Sequence, residues 1–246
     1  MNTEARPGAA PPRGPPRPRI AVALDTADSG RLTELARALD GEADVLKVGL
    51  QAMHALGPRA ITLAAEHAPV FCDAKLHDIP NTVAGAAAAL AAHGASLVTV
   101  HAAGGPAMVA AAAEAAPAVD VLAVTVLTSL DDATLGGFGM DRAAALVPRL
   151  ATAAVAAGAA GIVCAGHEVA TVRALVDEGV TLVVPGVRPE GADMQDQARV
   201  VTPGAAVAAG ADLLVVGRPV TAAADPVAAL RSIRAQMTAA PAADGA

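Results

Sequence analysis

From Arg19 onward, short and nearly continuous apolar runs alternate with longer alanine-rich stretches. The runs are Ile20–Leu24, Val45–Val48, Val70–Ala74, Leu97–Val100, Val121–Val126, Gly161–Cys164, Leu182–Val184 and Leu213–Val216. A strand with one wet face alternates apolar and polar residues, whereas one buried on both faces reads as an unbroken run of Val, Ile and Leu. These eight therefore predict strands of a parallel sheet. The stretches between them predict helices over Ser29–Leu39, Arg59–His67, Asn81–Ala92, Pro106–Ala115, Asp141–Ala157, Glu168–Glu178, Pro203–Ala209 and Pro226–Met237. Gly94, Gly158, Gly179 and Gly210 sit where C-terminal caps belong, and Ser29 and Thr202 where N-caps belong. Eight strand–helix units predict an α/β fold, a single-domain (β/α)8 TIM barrel over residues 19–246. A doubly wound open sheet competes less well, because no GxGxxG follows the first run.

Composition narrows the picture. The 246 residues fit one barrel, since such barrels run to roughly 200–250 residues. A net charge of −7 argues against a nucleic-acid binder. Two cysteines, Cys72 and Cys164, lack zinc spacing and lie in apolar runs, as buried thiols of a reducing compartment would. No apolar stretch is long enough for a membrane span: Val83–Ala92 runs straight into His93 and Gly94. Residues 1–18 contain six prolines and interspersed arginine without an apolar core, so the expectation is a disordered arm and not a signal peptide.

The seventeen basic residues include only two lysines, Lys47 and Lys75. Arginine cannot replace lysine where a proton is handed over or a compact charge is placed. Both lysines fall at predicted strand ends, where barrel enzymes keep their catalytic groups. The other polar strand-end residues are Asp25, Asp73, Asp78, His101, Thr128, Ser129, Arg188 and Arg218, with Gly217 beside the last. Strand alternation aims Asp73 and Lys75 together into the barrel mouth. A single structural ion pair would account for fewer charges than this mouth gathers, and burying charge without full pairing is costly. Gly217-Arg218 after the eighth run suits a phosphate, through close backbone approach and a two-pronged guanidinium. The Gly/Pro-rich segment Pro185–Asp193, together with Gln197, reads as a lid over the same anion. His101 reads as a packed barrel histidine.

The string Asp73-x-Lys75-x-x-Asp78-Ile79-Pro80-Asn81-Thr82 resembles the signature of the orotidine 5′-phosphate decarboxylase family. Its companions occur in order: Leu24-Asp25, Lys47-Val48-Gly49, Thr128-Ser129, Pro185-Gly186-Val187-Arg188 and Val216-Gly217-Arg218-Pro219. The resemblance spans Arg19 to Arg234. It implies a cytoplasmic homodimer that makes UMP and CO2 from orotidine 5′-phosphate (OMP), without cofactor or metal, membrane or nucleic acid. It implies Lys75 as proton donor to C6 of the pyrimidine, within a charge network of Lys47, Asp73, Lys75 and Asp78. Asp25 and Lys47 would hold the ribose, and Thr128 would lie near the base. Arg188, Gln197, Gly217 and Arg218 would hold the phosphate, while Asp78 and Thr82 would serve the neighbouring subunit's site. Two alternatives stay open. One is a magnesium-dependent phosphosugar enzyme with a similar D-x-K-x-x-D arrangement, against which the Ile-Pro-Asn-Thr continuation argues. The other is a ligand-binding barrel without turnover.

Overall fold

A computed structural model describes residues 18–189 and 201–238. The N-terminal arm and most of the expected lid, including Gln197, lie outside the described residues. Eight parallel strands close on themselves in sequence order, with β1 paired to β8. In chain order the elements are β1 Arg19–Ala23, α1 Ser29–Ala38, β2 Val45–Val48, α2 Leu50–Leu56, α3 Arg59–Ala65, β3 Val70–Leu76, α4 Pro80–Ala92 and β4 Ala95–His101. There follow α5 Pro106–Ala115, β5 Asp120–Val124, α6 Asp132–Gly137, α7 Ala143–Ala156, β6 Gly161–Val163, α8 Val169–Arg173 and β7 Thr181–Val184. The last are α9 Pro203–Ala208, β8 Leu213–Val216, α10 Arg218–Thr221 and α11 Pro226–Thr238. This is the TIM barrel that the run pattern predicts.

Closure explains why the strands are continuously apolar. Ile20, Val22 and Leu24 face outward into the layer beneath the helices, while Ala21 and Ala23 face the lumen with Val45, Phe71, Leu97, Leu122, Val183, Leu213 and Val215. Both faces are dry, and each of the Val, Leu, Ile and Phe side chains contributes about 1.5–3 kcal/mol on burial. Two residues beyond the lumen-facing apolar positions, toward the strand C-termini, chemistry changes. Ala23 is followed by Asp25, Val45 by Lys47, Phe71 by Asp73 and Leu97 by Thr99. Because the strand period is two, these side chains form a polar layer resting on an apolar one.

The structure corrects several details. Asp28, not Ser29, caps α1: its carboxylate accepts from the Gly30 and Arg31 amides at 2.7 and 3.2 Å. The expected helix Glu168–Glu178 stops at Arg173. There the Arg173 guanidinium donates to the Asp177 and Val180 carbonyls and to Asp212, so the following residues form a braced loop. Gly179 accordingly caps nothing, whereas Gly94, Gly158 and Gly210 do adopt positive φ at helix ends. Helices α2, α6 and α10 were not expected from the pattern; each is seven residues or shorter and buries only one side chain. Too short for an apolar stripe, such helices leave little periodicity to read.

Candidate active site

The polar layer opens into a cavity of about 300 Å3 at the strand C-termini. Asp25, Lys47, Asp73, Lys75, Thr128, Arg188, Gly217 and Arg218 all line it. Six different strands or the loops that follow them therefore bring together residues spread over nearly the whole sequence.

At its centre is a chain of alternating charge. The Lys75 ammonium donates to Asp73 Oδ1 at 2.8 Å. Lys47 Nζ stands 3.4 Å from Asp73 Oδ2 and 3.4 Å from Asp25 Oδ1. Burial resists ionisation of Asp73, but Lys47, Lys75 and the Lys75 and Thr99 hydrogen bonds outweigh it and hold the carboxyl below its ordinary range. Lys47 is itself buried. Its ammonium sits between two carboxylates, so positive charge there comes from the protein's own side chain.

Lys75 reaches this place by an unexpected route. Its φ is +49°, the only positive φ outside glycine among the described residues. The β3–β4 register slips between Cys72 and Leu76, which pair with Val98 and Val100. Four steps along β3 thus match two along β4, and the extra residues form a bulge. Asp73 and Lys75 do meet in the mouth, as strand alternation predicts, but through a bulge and not a regular pleat.

Two arginines also line the cavity. Arg188 is buried, and its backbone amide is held by the Val201 carbonyl at 3.1 Å. Gly217 and Arg218 follow β8 and open α10, so that Arg218 lines the same cavity as the two lysines. Asp78 and Thr82 lie outside this cavity, on the exposed rim around the start of α4. The Asp78 carboxylate accepts from the Ile79 amide at 2.6 Å, and Ile79 itself is 66% exposed. His101 is half-buried, with its ring centroid 5.4 Å from that of His77. Burial, then His77 and Lys75, lower its pKa against an opposing pull from Asp73. Cys72 and Cys164 are free and buried, and burial pushes each thiol up to about 12. Neither is poised as a nucleophile.

Two residues of the site were given no role from the sequence: Thr99, and Gly49 of the Lys47-Val48-Gly49 string. Thr99 underlies the Asp73–Lys75 pair and is hydrogen-bonded to both residues. Gly49, just past Lys47, has an ordinary extended backbone, yet a Cβ there would lie 2.9 Å from Asp25 Oδ1 and 3.0 Å from Lys47 Nζ. A methyl group there would have to push the Asp25–Lys47 ion pair aside, while the backbone itself would accept any residue.

A family model described as "Orotidine 5′-phosphate decarboxylase / HUMPS family" matches residues 18–233. The chain is 58% identical over 223 residues to a protein of Anaeromyxobacter sp. (strain K) named orotidine 5′-phosphate decarboxylase, covering 89% of this chain and 98% of that one. A Thermobifida fusca protein of the same name is 52% identical, with 89% and 95% covered. The crystal structure of orotidine 5′-phosphate decarboxylase from Lactobacillus acidophilus superposes with a TM-score of 0.80 at 34% identity, covering 90% of this chain and all of that one. With the bulged Asp73–Lys75 pair and the Arg188–Arg218 wall at the mouth of the same barrel, the chain belongs to the orotidine 5′-phosphate decarboxylase / HUMPS family.

Proposed function

We propose that the protein is an orotidine 5′-phosphate decarboxylase, a cofactor-independent carboxy-lyase that converts OMP to UMP and CO2 in pyrimidine biosynthesis. The observation that carries this reading is the Asp25–Lys47–Asp73–Lys75 chain lining one cavity together with Arg188 and Arg218. The phosphate binds Arg188, Gly217 and Arg218, with Gln197 as a further contact. The ribose hydroxyls bind Asp25 and Lys47, and the base lies toward Thr128. This pose sets C6 beside the Lys75 ammonium.

The C6–carboxylate bond then breaks, and CO2 leaves its electron pair in an in-plane orbital of C6. The ring's π system cannot delocalise that pair. Lys75 stabilises it electrostatically and delivers a proton from Nζ to C6, becoming neutral until solvent reprotonates it. The ammonium's attraction grows as charge develops at C6, so it favours the transition state over bound substrate. Asp73 accepts from the Lys75 ammonium at 2.8 Å and aims it. Binding the phosphate far from C6 supplies energy for ordering the reacting end.

Asp78 and Thr82 complete the site of a second copy, making the working unit a homodimer. Their position on an exposed rim, next to the exposed Ile79, supports this arrangement. No helix among the described residues is long and apolar enough to cross a membrane. We place the enzyme in the cytoplasm; two free thiols suit a reducing compartment.

The test is the ultraviolet absorbance of OMP mixed with purified protein and EDTA. Loss of the orotate chromophore with UMP formed is the expected result. Binding without bleaching, or turnover only with added magnesium, overturns the reading.

Gly49→Ala probes the ribose end. Its methyl displaces Lys47 or Asp25, and the expected result is a KM for OMP raised about 5- to 50-fold, the equivalent of roughly 1–2 kcal/mol of lost binding. Steady-state kinetics check it.

A further inference from the structure

Thr99 lies in the middle of β4, between Val98 and Val100, and is entirely buried. A buried hydroxyl needs partners, and Thr99 has two. Its Oγ1 accepts from the Lys75 backbone amide at 2.9 Å and donates to Asp73 Oδ1 at 2.9 Å. Thr99 stands opposite the β3 bulge, where the register shift interrupts regular ladder pairing. The hydroxyl thus holds the Lys75 amide at the point where that residue takes its left-handed backbone conformation. A side chain in that conformation needs support from its surroundings, because the backbone itself disfavours it. The same oxygen fixes the carboxylate that receives the Lys75 ammonium. One hydroxyl therefore controls both ends of the short loop from backbone to Nζ and back through Asp73.

We propose that Thr99 is a positioning residue for proton delivery: it pins the bulged Lys75 backbone and the Asp73 carboxylate together, and so fixes where the Lys75 ammonium points. This rests on the reading of Lys75 as the proton donor. Thr99 touches no part of the cavity that would hold ribose or phosphate, so its effect falls on turnover and not on binding. The charged and titratable groups around Asp73 are Lys47 from β2, Lys75 on β3, Asp25 after β1, His101 at the end of β4 and the neighbouring Cys72. None of them changes when Thr99 is replaced.

The test compares Thr99→Val, which keeps shape and loses the hydroxyl, with Thr99→Ser, which keeps the hydroxyl; Thr99→Ala replaces the valine variant should that not fold. For the variants lacking the hydroxyl, kcat is expected to fall about 10- to 100-fold, as loss of a buried hydrogen-bond partner at reacting groups implies. KM for OMP should stay within about threefold, the sign of an interaction used mainly in the transition state. Losing a donor to the Asp73 carboxylate moves the acid limb of kcat/KM to higher pH, and the carboxyl-13C titration of Asp73 moves the same way. Thr99→Ser should restore both. Wild-type kcat with an unshifted Asp73 titration in the hydroxyl-free variants overturns the positioning role and leaves the decarboxylase reading intact. A wild-type protein inert toward OMP overturns the decarboxylase reading instead, and the 13C titration still reports on whether Thr99 holds Asp73.

Discussion

Lys75→Ala is expected to lower OMP turnover by about 10⁴-fold or more while UMP affinity stays within about tenfold of wild type. The size follows from two roles held by one group. As an acid, a positioned donor contributes about 10²–10⁴-fold, and as a fixed charge facing a developing carbanion it would contribute a comparable factor. The small change in affinity follows from geometry, because the phosphate wall of Arg188, Gly217 and Arg218 is built by β7 and β8 and not by β3. Backbone strain does not confuse the comparison, since alanine meets the same penalty as lysine at a φ of +49°. Lys75→Arg sharpens it: the guanidinium keeps the positive charge but does not give up a proton at physiological pH. Rapid-quench turnover and calorimetric UMP titration measure the two quantities. A near-normal rate in Lys75→Ala removes the chemistry proposed for this cavity.

Asp73→Asn should affect both stability and turnover. The carboxylate holds two ammoniums, Lys75 at 2.8 Å and Lys47 at 3.4 Å, and its loss leaves Lys47 buried with only Asp25 as an ionic partner. Removing one member of a buried pair costs about 3–5 kcal/mol, and the remaining Asp25 reduces that to roughly 2–4 kcal/mol here. At about 2–4 °C per kcal/mol for a chain of this size, the melting temperature falls by some 5–15 °C. The pH dependence has a definite sign. Because the folded-state pKa of Asp73 lies below its ordinary value, its stabilising contribution is complete above the ordinary carboxylate range and disappears as pH falls through the lower, folded value. Wild type and variant should therefore differ most at neutral pH and converge in strong acid. Differential scanning calorimetry across pH checks this, and equal melting temperatures at pH 7 would count against a stabilising network. Turnover falls as well, since the asparagine amide neither neutralises nor orients Lys75.

The barrel was legible because closure forces every strand to be dry on both faces, and that leaves unbroken apolar runs in the sequence. The site was legible where chemistry is unusual: two lysines in an arginine-rich chain, both at strand ends, and a dense acidic–basic string after the third run. What escaped was set by three-dimensional contact. Thr99 sits inside an apolar run and looks like any β-branched strand residue. Its signal was its place two residues beyond the lumen-facing Leu97, in register with Asp73 two beyond Phe71. Gly49 stands in the Lys47-Val48-Gly49 string, yet the string does not say why, because its backbone is ordinary and a methyl group there would meet only the neighbouring ion pair. The bulge at Lys75 was invisible for a related reason. Strand alternation alone already puts Asp73 and Lys75 on one side, so the pattern gives the right neighbours without disclosing the slipped register. Ser29 was mistaken for a cap because serine and aspartate compete for that role, and the choice depends on where the preceding loop leaves the chain.

Lys47 and Lys75 are the sole side-chain amines of the molecule, and both project into one cavity. Reductive methylation with isotopically enriched formaldehyde consequently labels side chains nowhere else. Apart from the terminal amine, a spectrum of the methylated protein holds signals from this mouth alone. Arginine-rich composition thus gives the protein a pair of built-in reporters, free of the crowded surface resonances that obscure such measurements in lysine-rich enzymes.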